Sequence, residues 1–182
     1  MERTVMMIAL FAALIAVLGL FPSFMLFSGV PVSAQSLGVM LAGVILGPKR
    51  GALAVLLFLA LVALGFPLLA GGRGGLGAFV GPTAGFLFGF PVAAFVAGLV
   101  TQYLRRVDLL LSASLGAIIG GVLVLYLFGA VGMMLVTGLG VTQVIATLSV
   151  FVPGDIIKAI ISGILARSLY QARPSLVLTR SV

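Results

Sequence analysis

Apolar residues run without a charge from Thr4 to Pro48, and the rest of the chain repeats this pattern of long hydrophobic runs broken by glycine and proline. Neither strict alternation nor a polar stripe interrupts the runs. Runs of roughly twenty apolar residues are the length a helix needs to cross the ~30 Å hydrocarbon layer of a bilayer. The pattern predicts an all-α membrane bundle of about six helices, at roughly 4–24, 34–47, 51–69, 82–103, 108–129 and 153–172. Pro22 and Pro31 bracket a broken apolar connection, and Gly47-Pro-Lys-Arg-Gly51 ends the second helix. Gly65-Phe-Pro67 and Gly71-Gly-Arg-Gly-Gly75 close the third, while Pro82 is well placed at the start of the fourth.

The stretch 132–146 is apolar enough to be a seventh helix, but the charges argue against a crossing there. With the N-terminus inside, Arg3, Lys49, Arg50, Arg105, Arg106, Arg167, Arg173 and Arg180 all fall on the cytoplasmic side and only Arg73 falls outside. Basic residues accumulate on the cytoplasmic side of membrane proteins, so this distribution predicts an even number of spans with both termini cytoplasmic. A seventh crossing would carry Arg167, Arg173 and Arg180 to the outside. The stretch is therefore expected to be a long external segment, a short helix plus loop over the outer face. The basic start followed by an apolar run resembles a signal peptide, but the length of the run favours a retained helix.

Composition narrows the chemistry. The chain has 182 residues, 63% of them hydrophobic, and reads as a single transmembrane domain over 1–182. It contains neither Cys nor His, which removes thiol chemistry, zinc and haem ligation and histidine acid–base work, so no cofactor and no metal are expected. Three carboxylates, Glu2, Asp108 and Asp155, are too few for an oxygen-ligated metal cluster. The net charge of +7 reports orientation in the lipid bilayer and contact with anionic lipid, not nucleic acid.

Against this background Asp155 and Lys158 stand out, because both lie inside the last apolar run. Each ionised group at the bilayer centre costs ~2.5–3.5 kcal/mol on insertion scales, and such groups usually face an interior site. Three residues apart, they share one helical face. The pair either neutralises itself between two helices or lines a ligand site in which the carboxylate accepts N–H groups and the amine donates to an oxygen. In the predicted topology it lies in the outer half of the bundle with Gln35, Arg73 and Thr83. Arg73 could meet a ligand carboxylate or remain a solvated loop charge. Gln35 could cap the second helix or donate to a ligand. Phe86 is a core or lipid-facing ring that could also touch a ligand. The first helix carries overlapping small-xxx-small spacings, Ala9/Ala13 and Ala12/Ala16, which suit close helix packing either within the chain or with a partner.

The ordered set Pro31-Val-Ser-Ala-Gln35, Leu41-Ala-Gly-Val-Ile-Leu-Gly-Pro-Lys-Arg-Gly51, Gly65-Phe-Pro67, Gly71-Gly-Arg-Gly-Gly75, Gly81-Pro-Thr-Ala-Gly85 and Asp155-Ile-Ile-Lys158 resembles the BioY family, the biotin-binding S components of energy-coupling-factor (ECF) vitamin transporters. The resemblance implies a six-helix S-component fold with a biotin pocket near the outer face. It places Asp155 and Lys158 at that pocket, and Gln35, Arg73, Thr83 and Phe86 are the further candidates for its lining. It also implies docking on a transmembrane coupling protein through Ala9 and Ala13, and ATP hydrolysis by separate cytoplasmic ATPase subunits, since no Walker motif is present here. Two positions depart from the family pattern: Ser33 stands where a threonine is usual, and Phe86 where a tyrosine is usual. The function so implied is biotin capture at the external face of a prokaryotic cytoplasmic membrane and delivery inward, with no enzyme activity. The alternatives are an S component for another small vitamin, or a stand-alone proton- or ion-coupled transporter, possible as a homo-oligomer. A membrane enzyme is disfavoured by the missing His, Cys and clustered acids.

Overall fold

The computed structural model describes residues 2–21, 24–25 and 31–180. Eight α-helices are present among them: α1 (Glu2–Gly19), α2 (Gln35–Leu46), α3 (Pro48–Ala63), α4 (Ala84–Tyr103), α5 (Leu109–Ile118), α6 (Leu125–Thr137), α7 (Val141–Ser149) and α8 (Val152–Ala172). A π-helical turn at Ile119–Val124 fuses α5 and α6 into one 29-residue helix, Leu109–Thr137. The six predicted helices are thus α1, α2, α3, α4, the α5–α6 column and α8. A two-residue antiparallel pair, Phe24 with Val32 and Met25 with Pro31, precedes α2. The rest of the expected Pro22-to-Val30 connection lies outside the described residues.

α4 is the axis of the bundle. It packs against α2, α3, α5, the π turn and α6, with Ala93, Ala94 and Ala97 fully buried. α1 leans on α2 and α3, and α8 leans on α5 and α2. Alanine and glycine dominate these contacts because two apolar helices in lipid gain little from hydrophobicity and must gain from close approach. Gly120 illustrates this: an added Cβ there would meet the Ala93 carbonyl and, at 2.6 Å, the Ala97 amide. Gly120 lies within the π turn, so the turn sits where the long helix packs closely on α4.

Helix ends differ from the sequence expectation in four places. α1 stops at Gly19, before Pro22. α3 starts earlier, with Pro48 at its first position, and stops at Ala63, because Gly65 turns the chain at φ +102°. The α2–α3 corner is made by Gly47 at φ +87°, a conformation open mainly to glycine. The fifth helix continues to Thr137, not 129, since nothing between 130 and 137 interrupts it. By length and apolarity three helices suffice to cross a membrane, α1, α4 and α5–α6, and a fourth if α7 and α8 act as one span bent by 51°. α2 is short, 12 residues or about 18 Å, but nearly all of it is buried in protein, so it need not match the lipid thickness. α7, with nine residues, reaches only about 13 Å; the short helix expected within 132–146 thus begins at Val141, and the first part of that stretch is the end of α6.

Charged residues collect at one end. The Arg3 guanidinium donates to the Ser175 carbonyl at 2.7 Å, and Arg180 donates to the Arg105 and Val107 carbonyls. Thr179 Oγ1 donates to the Val44 carbonyl at 2.8 Å. These bonds tie the start of α1, the end of α2, the α4–α5 turn and the C-terminal segment together. Asp108 caps α5 there by accepting from the Leu110 amide, and Arg167 lies 3.6 Å from it.

Candidate functional site

A cavity with an empty volume of about 620 Å³ opens between α2, α4, α6, the start of α8 and the loop 69–73. Its walls are mainly apolar: Leu69, Phe86, Leu87, Phe90, Leu125 and Phe151. Polar groups enter as two clusters, a mix of apolar wall and few polar groups that is typical of small-molecule sites.

The first cluster centres on Asp155, which is 6% exposed in the first turn of α8. Lys158 Nζ donates to Asp155 Oδ1 at 2.8 Å. Ser36 Oγ donates to the same oxygen at 3.1 Å, and the Tyr126 hydroxyl donates to Oδ2 at 2.7 Å. Lys158 places its other two donors on the Ser33 carbonyl at 2.7 Å and on Ser36 Oγ at 3.0 Å. The pair is therefore neutral as a unit and held by α2, α6 and α8 together, as a buried ion pair requires. A carboxylate has about four lone-pair positions, so the three bonds to Asp155 leave one acceptor position on Oδ2. The helix N-terminus adds favourable potential for the negative charge of Asp155 but not for Lys158, whose ammonium depends on the acceptors just named.

The second cluster holds Arg73 and Thr83. Arg73 Nε donates to the Ala70 carbonyl at 3.2 Å, and Nη1 to Thr83 Oγ1 at 3.4 Å. No carboxylate lies within ion-pair distance of Arg73 among the described residues. Of its five N–H donors, about three stay available for an anion. The loop can hold the arginine there because Gly71, Gly72 and Gly75 all take positive φ.

Gln35 sits between the clusters, 3% exposed. Its amide nitrogen donates to the Ile15 carbonyl at 3.3 Å and the Leu68 carbonyl at 3.0 Å, and its oxygen accepts from the Ala70 amide at 3.0 Å. It borders the cavity while tying α1 and the 68–70 loop to α2, and no side-chain cap of α2 is formed. Asp155, Lys158, Gln35, Arg73, Thr83 and Phe86 thus meet around one cavity, whereas Ala9 and Ala13 lie exposed on the outer face of α1. Ala12 is buried and Ala16 half-buried, so the second spacing turns toward the bundle on the face adjoining Ala9 and Ala13. Sequence reasoning passed over Tyr126, Ser36 and Phe151. Tyr126 carried a usable signal, a hydroxyl inside an apolar helix, where a polar group needs a partner.

Fold and site define a membrane-embedded binding bundle: one mostly apolar pocket, an acceptor–donor pair at one wall and an arginine at the other. Over 93% of the chain and 92% of the other, this fold matches a crystal structure at 2.1 Å of the S-component for biotin from an ECF-type ABC transporter, with a TM-score of 0.88 and 31% sequence identity. The BioY family model matches residues 2–175, and the chain belongs to the BioY family. It is 53% identical to the biotin transporter BioY of Rhodobacter capsulatus, over 99% of this chain and all of that one. To the biotin transporter BioY of Rhizobium etli it is 48% identical over 96% of each chain, and to the probable biotin transporter BioY of Bacillus subtilis 45% over 92% and 90%. These relatives are transporters, which agrees with the expectation of a carrier and not an enzyme.

Proposed function

We propose that this protein is the biotin-binding S component of an ECF-type transporter, taking up biotin at the external face of the cytoplasmic membrane of a prokaryote and delivering it inward as one transmembrane domain. The observation that carries the reading is the Asp155–Lys158–Tyr126 cluster, set in the same cavity as an arginine without an acid partner. Biotin has two ureido N–H donors, a ureido oxygen, an apolar bicycle and chain, and a terminal carboxylate. Asp155 accepts one ureido N–H at its remaining Oδ2 position, and Lys158 exchanges its bond to Ser36 Oγ for one to a biotin oxygen. Phe86, Phe90 and Leu87 cover the apolar body, and Arg73 with Thr83 takes the carboxylate. Both termini are cytoplasmic, on the side where the basic residues gather. Ala9 and Ala13, exposed on α1, form the contact with a transmembrane coupling protein, which links the subunit to cytoplasmic ATPases.

Calorimetric titration of the detergent-solubilised chain with biotin, beside thiamine and riboflavin, tests this. One-to-one binding of biotin alone is expected. Binding of another vitamin in its place moves the protein to a sibling specificity. Biotin uptake by proteoliposomes holding this chain alone, driven by an ion gradient, overturns the dependence on ATPases.

A further inference from the structure

A second concave surface lies at the basic end of the bundle, formed by the α4–α5 turn, the last turns of α8 and the C-terminal segment. Arg105, Arg106, Arg167 and Arg180 line it with Asp108 and Tyr170, around an empty volume of about 760 Å³. Among the described lining residues Arg106, Arg167 and Arg180 stand beside one carboxylate, Asp108, so the cleft is net positive. Asp108 is already used: it caps α5 and lies 3.6 Å from Arg167. Arg180 is fixed by neutral acceptors, the Arg105 and Val107 carbonyls and Ser112 Oγ, the last at 2.7 Å, so its charge is held in place and not cancelled by these bonds.

What adjoins the cleft identifies the ligand class. Going up α5 from Asp108, Leu111 and Leu115 are exposed, and going up α8 from Arg167, Ile164 and Ile160 are exposed. α5 and α8 pack tightly along this line, where Gly163 meets Leu110 and Ser114. Spacings of four on α5, and of three then four on α8, keep each set on one helical face, so an apolar seam rises directly from the arginines. Tyr170 stands at the border with an apolar ring and a polar tip, the arrangement found at membrane–water boundaries. A free anion would need only the arginines. A phospholipid needs both parts, charge for the phosphate and an apolar seam for an acyl chain.

We propose that this cleft is a specific site for the phosphate headgroup of an anionic phospholipid, whose acyl chain lies along the α5–α8 seam. Arg106 and Arg167 make the phosphate contacts, and Arg180 holds the C-terminal segment as the floor. The site is independent of the vitamin pocket and shares no residue with it.

Native mass spectrometry of the detergent-solubilised full chain titrated with phosphatidylglycerol, phosphatidylcholine or inorganic phosphate tests the proposal. One retained phosphatidylglycerol per chain is expected, with phosphatidylcholine much weaker. R106Q with R167Q should weaken phosphatidylglycerol binding by about thirtyfold, two basic contacts at roughly a fivefold factor each. Removing the same charge elsewhere on that end, K49Q with R50Q, should change it by less than about threefold. If the double variant does not fold, R106Q alone decides, since Arg106 is exposed; about a fivefold loss is expected. Equal binding of phosphatidylcholine, or equal losses in the cleft and control variants, would overturn the site. Displacement of phosphatidylglycerol by inorganic phosphate at matched concentration would overturn the lipid assignment and leave an anion site.

Discussion

The Tyr126 hydroxyl and the Lys158 ammonium grip opposite oxygens of one buried carboxylate, at 2.7 Å on Oδ2 and 2.8 Å on Oδ1 of Asp155. One donor comes from α6 and the other from α8, the helix that carries Asp155, so the carboxylate plane is fixed by a tertiary contact together with its own helix. A carboxylate held in this way presents its remaining lone pair in a set direction, which is what recognition of an N–H donor needs. Tyr126→Phe keeps the ring and removes this grip. Biotin affinity should fall about tenfold, ~1.5 kcal/mol for a hydrogen bond to a charged group, with little change in thermal stability. Calorimetry gives the first quantity and a melting curve the second; an unchanged Kd would remove Tyr126 from the site.

Breaking and then rebalancing the ion pair separates stability from binding. Lys158→Met leaves the Asp155 charge buried and uncompensated, a loss of ~3–5 kcal/mol. Asp155→Asn with Lys158→Met removes both charges and should regain most of that stability. Neither variant should bind biotin measurably. Asp155→Asn alone should lose about a hundredfold in affinity, because an amide has one acceptor oxygen and adds unwanted donors. Melting temperatures and titrations of the four proteins complete the cycle, and biotin binding by the double variant would assign the pair a purely structural role.

Gln35 joins three backbone groups from α1 and the 68–70 loop. Gln35→Leu removes the side-chain donor to the Ile15 and Leu68 carbonyls and the acceptor of the Ala70 amide, and stability should drop by roughly 1–3 kcal/mol. Affinity should fall as well, since the loop that carries Arg73 is held through Ala70 and Leu68. Arg73→Gln, by contrast, should weaken biotin while leaving stability unchanged, and should leave the affinity for a biotin amide lacking the carboxylate almost unaltered. Equal losses for biotin and its amide would mean that Arg73 does not meet the carboxylate.

Ala9 and Ala13 are exposed on α1, where Ala12 is buried. Ala9→Leu with Ala13→Leu should therefore preserve folding and biotin binding while preventing co-purification of the coupling protein, because bulk on a small-residue face separates helix backbones. Retained co-purification would place the docking surface elsewhere.

The linear chain by itself determined the number of helical columns, their approximate limits, the gathering of charge at one end, and the placing of Asp155 and Lys158 on one face of the last helix. These follow from local rules: the length of an apolar run, the punctuation by Gly47, Gly65 and Pro67, and the cost of an ion in lipid. The predicted topology also put Gln35, Arg73 and Thr83 at one end of the bundle. The run 132–146 was expected as one external segment, but its first six residues continue the long helix to Thr137, since glycine content at 129–132 reads equally well as an end or as close packing. Only the tertiary structure decided what completes the carboxylate's shell. Tyr126 and Ser36 reach Asp155 from positions 29 and 119 residues away, and no periodicity within a helix encodes such a meeting. The same holds for Gln35, which on the sequence could cap α2 or donate to a ligand and whose amide bridges three backbone groups beside the cavity, and for the cleft built by Arg106, Arg167 and Arg180. Which face of a nearly uniform apolar helix turns inward is set by the fit of small residues between neighbouring backbones, and that fit exists only once the bundle has closed.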